Sequence, residues 1–396
     1  MKRAGRLMPS IITADNMRLA FVKTIRGKRH VHSVVEFRKE LDNNLRSLAE
    51  EIAACNRTWG PYYRFTIFDP KERTISVAPL GDRVAHHALM NVCEPFFERY
   101  QIFDSYASRK GKGQFAALER ARTFCRRNTW FLKLDVRKYF DSISHNVLKK
   151  LLLLRFKDVF VLENFEQIID SYESATGCGV PIGNLTSQYF ANHYLATMDH
   201  FVKEHLKVGC YVRYMDDFVF WNDNLKVLKR VAGTLQNFVR DELRLSLKTP
   251  IFNRCSQGMT FLGFRIFPEK MVLSHRSRYR FRRKLRTMTE YFESGNWDEL
   301  TYSRRLETLF AFVRHAHSEG FRRRAMQEVG IDPQELEPCE SGRELEQQRQ
   351  ELPVCESEQQ RPVEPEQQPW HPHLPSFALD GEVCAKQDEF LPCYAR

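Results

Sequence analysis

An adjacent pair of aspartates inside an apolar stretch is the feature that most limits how this chain can fold. Asp216 and Asp217 interrupt the run Tyr211–Trp221, whose other residues are mostly aromatic or β-branched. This composition predicts two short strands, so the aspartates would lie at a hairpin turn. Neighbouring carboxylates repel each other, and a bound Mg²⁺ would relieve that repulsion. An ordinary solvated turn is the alternative interpretation.

A third aspartate ends another apolar run. The segment Trp130–Asp135 has the composition of a short strand and closes on a carboxylate. Beside the hairpin turn, Asp135 would complete the acidic set of a two-metal phosphoryl-transfer site, in which cations about 3.5–4 Å apart activate a 3′-hydroxyl and stabilise the leaving pyrophosphate. We therefore predict Asp135, Asp216 and Asp217 as catalytic residues and metal ligands. Three unrelated surface acids are the alternative.

Charge is distributed unevenly along the chain. The formal net charge is +11, but residues 331–396 hold 15 acidic and 5 basic residues, so they carry −10 and residues 1–330 carry +21. A body this basic predicts a polyanionic partner, with nucleic acid as the first candidate. The final segment also contains nine of the 17 prolines. It buries too little apolar surface to offset its ordering entropy, so we expect a disordered acidic tail.

Basic residues concentrate in a glycine-punctuated loop at 105–113 and in arginine-rich helices predicted over 277–325. Glycines next to cations let the backbone approach a phosphate closely, although most such loops are only turns. From these clusters we predict nucleic-acid contacts by Arg109, Lys110, Lys112, Arg276, Arg278, Arg280 and Arg283.

Cysteine usage and hydropathy indicate the compartment. The ten cysteines include no Cys-x-x-Cys pair, which argues against a zinc site or a disulfide framework and favours a reducing cytoplasm. No apolar run is long enough for a membrane span, and no secretory signal is apparent. We therefore expect a cytoplasmic protein without a membrane partner.

Local patterns predict an α+β chain with antiparallel pairing. Ser33 and Glu36 predict a capping box that opens one helix, whose apolar stripe continues to Ile52. Alternation predicts a hairpin within residues 61–80, and further strands are expected at Leu247–Thr249 and Phe261–Ile266.

The turn Val180–Gly183 and the residues after it extend these motifs into a family resemblance. The sequence Ile-Gly-Asn-Leu-Thr-Ser-Gln over 182–188, with the Asp135 segment and Tyr214-Met215-Asp216-Asp217, closely resembles the reverse transcriptases of diversity-generating retroelements. The resemblance covers roughly residues 30–325 and includes Tyr106-Ala107 with Arg109. It implies a right-hand polymerase with fingers, a palm built on an antiparallel sheet, and a helical thumb.

Composition and the resemblance together predict five segments along the chain, of which the acidic tail departs from the family pattern. They are a basic N-terminal segment at 1–32, fingers with the start of the palm at 33–128, a palm at 129–270, a basic thumb at 271–330, and the acidic tail at 331–396.

Further site residues follow from the resemblance. An aromatic residue at Phe140, five positions after Asp135, would exclude the 2′-hydroxyl of a ribonucleotide, unless Phe140 only packs in the core. Ile182 stands where many reverse transcriptases have a Gln; it lacks a hydrogen-bonding group and would select the incoming base loosely. Lys248 would protonate the leaving pyrophosphate, unless it is an ordinary loop lysine. The family's finger motifs add nucleotide contacts by Arg64, Lys71, Arg73 and Gln188.

The activity that the resemblance implies is RNA-directed DNA polymerisation, error-prone at template adenines. The expected cofactor is a pair of Mg²⁺ ions, with Mn²⁺ as a substitute. The expected partners are template RNA, primer or cDNA, dNTPs and a small basic accessory protein oligomer, in a bacterial or phage-encoded system. The alternatives are a defence-associated or maturase-like reverse transcriptase, or a non-catalytic RNA-binding scaffold.

Overall fold

The computed structural model describes residues 2–68 and 72–332. Lys71 and all of the acidic tail from residue 333 onward therefore lie outside the described residues. The described chain divides into two compact units, residues 2–278 with 315–317, and residues 279–314 with 318–332. None of the helices in these ranges is both long and apolar enough to cross a bilayer.

The first unit opens with four helices: α1 (Met8–Ile11), α2 (Ala14–Thr24), α3 (His32–Lys39) and α4 (Leu41–Ala53). The predicted capping box was wrong, because α3 follows Val31 and no side chain caps its first turn. The single predicted helix is also divided, since the backbone of Glu40 (φ −124°, ψ 47°) leaves the helical region between α3 and α4. The apolar stripe is core packing as expected, with Val34 and Ile52 buried.

The predicted hairpin is confirmed as β1 (Tyr63–Phe68) and β2 (Glu72–Val77), paired antiparallel. Helix α5 (Leu80–Glu98) follows directly and continues through Pro95 to its last turn. Helix α6 (Gln114–Arg127) then leads into the central sheet.

The central sheet consists of β3 (Trp130–Asp135), β4 (Tyr211–Tyr214), β5 (Asp217–Asn222) and β6 (Ile251–Arg254), in the spatial order β4-β5-β3-β6. All its pairs are antiparallel. Between β3 and β4 the chain forms α7 (Tyr139–Ser142), α8 (His145–Leu153), α9 (Val159–Asp170) and α10 (Leu185–His200), the last extended by a π-helical turn at Phe201–His205. Helix α11 (Leu225–Asp241) packs on β3 and β5.

Two predicted strands differ from the structure. Of Leu247–Thr249, Leu247 alone forms a bridge, to Val136, and β6 begins only at Ile251. The predicted strand Phe261–Ile266 is a hairpin of β7 (Met259–Phe261) and β8 (Phe264–Ile266), extended by β9 (Met271–Leu273). The chain reverses there because Leu262 and Gly263 both adopt positive φ, at 45° and 85°.

The second unit is helical. Helix α12 (His275–Glu293) begins in the first unit and continues into the second, where α13 (Glu299–Arg314) and α14 (Glu319–Gln327) follow. Buried side chains of the three helices, including Phe281, Phe310 and Phe321, form its core. The ring centroid of Phe281 lies 5.2 Å from that of Phe310 and 5.6 Å from that of Phe321.

Candidate active site

The predicted acidic residues meet at one end of the central sheet. Strands β3 and β5 pair so that Asp135 lies directly opposite Asp217, and Asp217 also pairs with Tyr214 of β4. Side chains directly opposite each other in an antiparallel pair have Cβ atoms about 4.5–5.5 Å apart. The strand register therefore places the Asp135 and Asp217 carboxylates in one small space.

Asp216 belongs to the two-residue turn that joins β4 to β5. Met215, the first residue of this turn, has a φ of 54°, and tight hairpin turns of this length need such a left-handed residue. The Arg213 guanidinium donates a hydrogen bond of 3.1 Å to the Met215 carbonyl oxygen. This hydrogen bond ties the turn to the Arg213 side chain of β4. Asp216 itself is half-buried.

The electrostatics of the turn are unfavourable for charged Asp216. Burial, followed by the nearby charges of Asp217 and Asp135, raises the pKa of Asp216 to about 6. Burial also raises the pKa of Asp217, and the cation of Lys133 opposes that rise. The three carboxylates therefore form a group that a further cation would stabilise.

Two lysines face the group. Lys248 Nζ lies 2.7 Å from each carboxylate oxygen of Asp135, and Lys133 Nζ lies 3.2 Å from Asp217 Oδ1. Among the residues that the structure describes, no side chain donates a hydrogen bond to the Asp216 carboxylate. The sequence analysis missed Lys133, although strand alternation puts it on the same face of β3 as Asp135.

A second missed feature is a buried ion pair beneath the turn. Arg213 and Asp199 are both fully buried, and their closest contact is 2.7 Å, from Arg213 Nη2 to Asp199 Oδ2. Tyr211 Oη also donates to Asp199, at 2.7 Å, and Arg213 Nη1 donates to Asn192 Oδ1 at 3.0 Å. An arginine inside the apolar run of β4 was the available signal, because such a residue needs a buried acid.

The donor chemistry of the acidic group fits magnesium. All three residues offer carboxylate oxygens, which Mg²⁺ prefers over nitrogen or sulfur. In the described ranges, however, no three His, Cys, Asp or Glu side chains form a ready-made ligand group. Two of the carboxylates instead pair with Lys248 and Lys133. A metal ion would take over part of this charge compensation.

The structure brings the predicted Phe140 and Ile182 segments together. Phe140 lies in α7, half-buried, with its ring centroid 5.7 Å from that of Tyr139. Its carbonyl oxygen accepts a hydrogen bond of 2.9 Å from the amide of Val180, two residues before half-buried Ile182. Gln188, in α10, instead accepts a hydrogen bond from the Ser108 hydroxyl at 3.1 Å.

The β1–β2 hairpin, which carries Arg64 and Arg73, contacts the same turn. Arg64 stacks over the ring of Tyr172, with 5.5 Å from its guanidinium carbon to the ring centroid, and Arg73 is half-buried. The hairpin contacts the turn through the Ser76 amide, which donates a hydrogen bond of 2.8 Å to the Ile182 carbonyl oxygen.

The loop predicted to bind nucleic acid uses its cations mainly within the protein. The Arg109 side chain is largely buried; it pairs with Glu98 and donates to the carbonyl oxygens of Ile102 and Ser105, both at 2.6 Å. These contacts favour a structural role for Arg109. Exposed Lys110 pairs with Glu94 at 3.0 Å. Lys112 Nζ lies 3.4 Å from the centroid of the Phe103 ring and donates to the Phe103 carbonyl oxygen.

The arginines of α12 are placed differently. Arg276, Arg278 and Arg283 are exposed, and Arg280 is half-buried with its own protein contacts. Buried residues at Ser277, Phe281, Leu285 and Thr289 recur every four positions and define the opposite, inward face.

Over part of its length the chain is similar in sequence to known proteins. The family model described as reverse transcriptase (RNA-dependent DNA polymerase) matches residues 69–266. Protein YkfC of Escherichia coli (strain K12) is 23% identical over 256 residues, which cover 53% of this chain and 65% of that protein. A 91 kDa protein in the cob intron of Schizosaccharomyces pombe is 28% identical over 142 residues, 34% of this chain and 18% of that protein.

A further relative and a solved structure show similar partial coverage. A protein named for intron 2 of COX1/OXI3 in Saccharomyces cerevisiae is 22% identical over 261 residues, covering 48% of this chain and 30% of its own length. Apo telomerase of Candida tropicalis, truncated from its C-terminal domain, superimposes with a TM-score of 0.43 and 16% identity over 54% of this chain and 55% of that one. The chain thus spans less than two thirds of each of these proteins.

Proposed function

Because the chain belongs to the reverse transcriptase (RNA-dependent DNA polymerase) family, whose model matches half of its length, we propose that it copies an RNA template into cDNA. The observation that carries this proposal is the register of β3 on β5, which sets Asp135 opposite Asp217 and next to the Asp216 turn. A non-catalytic RNA-binding scaffold has no need to keep three carboxylates together against their repulsion.

In the proposed reaction, Asp135, Asp216 and Asp217 would hold divalent cations, Mg²⁺ with Mn²⁺ as a substitute. When bound, two such ions supply activation of the primer 3′-hydroxyl and stabilisation of the leaving pyrophosphate. Lys248, whose ammonium group donates a hydrogen bond to the Asp135 carboxylate, donates a proton to the pyrophosphate. General acid help of this kind contributes about 10²–10⁴-fold.

Substrate selection in this proposal is divided among the elements around the turn. Phe140 lies beneath the sugar and excludes the 2′-hydroxyl, so that deoxynucleotides are preferred. The hairpin with Arg64, Lys71 and Arg73 binds the triphosphate, and Gln188 contacts the incoming nucleotide. The exposed arginines of α12 bind the template-primer backbone, together with Lys110 and Lys112.

The proposed domain organisation follows the right-hand polymerase. Residues 33–128 form the fingers and the start of the palm, 129–270 the palm, and 271–330 the thumb. Residues 1–32 are a basic extension, and 331–396 an acidic tail that lies mostly outside the described residues.

The proposed subtype is the reverse transcriptase of a diversity-generating retroelement, error-prone at template adenines. Its support is the sequence Ile-Gly-Asn-Leu-Thr-Ser-Gln from Ile182 to Gln188. Ile182 offers no hydrogen bond to the nascent pair, and an apolar surface discriminates weakly between bases. This subtype carries with it a bacterial or phage source and a small basic accessory oligomer.

A second candidate is an intron-type, maturase-like reverse transcriptase. Two of the relatives reported above bear names that place them in introns, which favours this candidate. A maturase-like enzyme would have no reason to concentrate its errors at template adenines, so the error spectrum separates the two candidates.

The polymerase proposal is tested by primer extension on an RNA template with dNTPs and Mg²⁺. We expect the wild type to extend the primer and Asp216→Asn to lose about 10³-fold or more, because it removes one ligand charge from a site that stabilises the transition state by several kcal/mol. Asp241→Asn, at an exposed aspartate, is the matched control and should extend normally. Extension by Asp216→Asn at the wild-type rate would refute the assignment.

The subtype is tested by sequencing cDNA made on one RNA that contains all four bases. We expect wild-type errors to concentrate at template adenines and to decrease in Ile182→Gln. Ile251→Gln, at an exposed isoleucine, is the control for the substitution itself. Errors spread evenly in both wild type and Ile182→Gln would support the intron-type candidate instead.

A further inference from the structure

The turn Val180–Gly183, which carries Ile182, is attached to the outer edge of strand β2 in the β1–β2 hairpin. The Ser76 amide of β2 donates a hydrogen bond of 2.8 Å to the Ile182 carbonyl oxygen. Ser76 pairs with Arg64 across the hairpin, and Thr74 pairs with Thr66 two residues along. In an antiparallel ladder amides alternate between inward and outward, so the Thr74 amide also points outward. Within the described chain it meets no acceptor.

Close approach of the turn to β2 depends on Gly183. Its φ is +121°, which an L side chain rarely adopts. A Cβ at this position would lie 3.0 Å from Cγ2 of Ile75 and 3.1 Å from the carbonyl oxygen of Ser76. The second contact is with backbone, which cannot rotate away. A side chain at residue 183 would therefore require the turn and β2 to move apart by a few tenths of an ångström, in addition to straining the backbone.

On its other side, the same turn is attached to the Phe140 segment. The Val180 amide donates to the Phe140 carbonyl oxygen at 2.9 Å, and the Gly179 amide donates to that of Ile143 at 2.8 Å. The turn therefore bridges the hairpin and α7 through main-chain hydrogen bonds.

We infer that Gly183 and the Ser76 amide are positioning residues that join the hairpin, the Ile182 turn and Phe140 into one nucleotide-selecting unit. The inference rests on the proposed polymerase function and adds how its parts are linked. The hairpin that binds the triphosphate sets the position of Ile182 against the base, and the turn transmits that position to Phe140 beneath the sugar. Loosening the hairpin edge would then weaken nucleotide binding and base selection together.

The test compares two proline substitutions on β2. Proline lacks an amide proton, so Ser76→Pro removes the hydrogen bond to Ile182 and sets the proline ring against that carbonyl oxygen. Thr74→Pro removes an outward-facing amide that has no acceptor among the described residues. In single-nucleotide incorporation we expect Ser76→Pro to raise the KM for the correct dNTP by about fivefold or more, the equivalent of one hydrogen bond, and to lower discrimination against mismatches. Thr74→Pro should stay within about twofold of wild type on this scale.

A second pair of variants tests the glycine. Gly183→Ala should reproduce the KM and mismatch effects of Ser76→Pro, whereas Gly209→Ala, at a glycine with open space around its Cβ position, should not. Unfolding midpoints are measured for all four variants. Should Ser76→Pro fail to fold, the Gly183→Ala comparison decides. Equal KM and discrimination within each pair would overturn the inference while the proposed function stands, whereas a wild type that extends no primer would refute the proposed function itself.

Discussion

The β4–β5 hairpin carries two groups of charges that are built in opposite ways. Within β4, Arg213 is fully buried and forms a matched pair with Asp199, which Tyr211 and Asn192 complete. Three residues further along the chain, in the hairpin turn, Asp216 lies near two other carboxylates. Burial and the charges of Asp217 and Asp135 raise its pKa to about 6. The first group satisfies all of its charges within the protein. In the second group Lys248 and Lys133 pair with Asp135 and Asp217, whereas Asp216 has no side-chain donor among the described residues.

This difference separates charges that hold the fold from charges that are available for chemistry. A buried pair with every polar atom bonded fixes one arrangement of β4 and α10, and so fixes where the turn stands. Burial and repulsion at Asp216 lower the free energy of unfolding of the metal-free protein. Functional sites commonly carry such a cost, and the rest of the fold compensates for it. The comparison predicts that removing a charge of the matched pair and removing the Asp216 charge change stability in opposite directions.

The largest expected effect follows from breaking the matched pair. Arg213→Met leaves the Asp199 carboxylate buried without a countercharge, which costs about 3–5 kcal/mol of unfolding free energy. Urea unfolding followed by circular dichroism measures this loss. The double variant Arg213→Met/Asp199→Leu should recover part of it, because neither charge is then left alone. A loss below about 1 kcal/mol in the single variant would contradict the comparison.

At the turn we expect the opposite sign. The Asp216 pKa rises from an ordinary 3.8 to about 6 on folding, so the folded state binds the proton more tightly than the unfolded state. Stability from this group therefore falls as pH rises through that window, and the penalty is fully present above pH 6. Asp216→Asn removes the charge and should stabilise the metal-free protein by about 1–3 kcal/mol at pH 7.5.

The pH dependence makes this prediction specific. Near pH 4 the wild-type carboxyl is protonated when folded, so the two proteins should unfold with nearly the same free energy. Urea unfolding in EDTA at both pH values provides the measurement. A gain that is equal at pH 4 and pH 7.5 would show that shape or packing, and not charge, separates Asp216→Asn from wild type.

The two groups were also unequally predictable from the sequence. The acids at the turn could be found because Asp-Asp interrupts a run of strand-forming residues, and because Asp135 closes a second such run. Those patterns also predicted β3, β4 and β5. The partner of Arg213 could not be found, because Asp199 lies in a helix and only tertiary packing brings it to β4.

Backbone conformation explains the remaining differences between prediction and structure. Glu40 interrupts a continuous apolar stripe without glycine or proline, so periodicity alone predicted one helix where two form. Leu262 takes positive φ before Gly263, and a β-prone run becomes a hairpin. The hydrogen bonds of Arg109 to Glu98 and to two carbonyl oxygens were not predicted from the sequence, and its nucleic-acid contact stays a prediction. Contacts between distant segments decide such cases.

A cation should reduce the contrast between the two groups. We expect Mg²⁺ to stabilise the wild type against urea, by about 1.4 kcal/mol when its concentration is ten times the dissociation constant. The gain should disappear in Asp216→Asn, and NaCl at matched ionic strength, which only screens repulsion, should not reproduce it. Equal stabilisation of both proteins by Mg²⁺ would place the ion elsewhere.

The smallest expected effect concerns Lys133, which pairs with Asp217. Its Nζ lies 3.2 Å from Asp217 Oδ1, and both side chains keep some exposure, 20% and 28%. A partly exposed pair of this kind is worth about 0.5–1 kcal/mol, well below the cost of breaking a buried one. Lys133→Met, Asp217→Asn and the double variant form a cycle that isolates this coupling from the contact of the Lys133 ammonium group with the Phe261 ring. Because Asp217 also repels its acidic neighbours, Asp217→Asn alone should lose little stability or gain some, whereas Lys133→Met should lose stability at neutral pH. A coupling as large as the loss in Arg213→Met would mean that the turn is a second matched pair, and that its carboxylates are not held available for a cation.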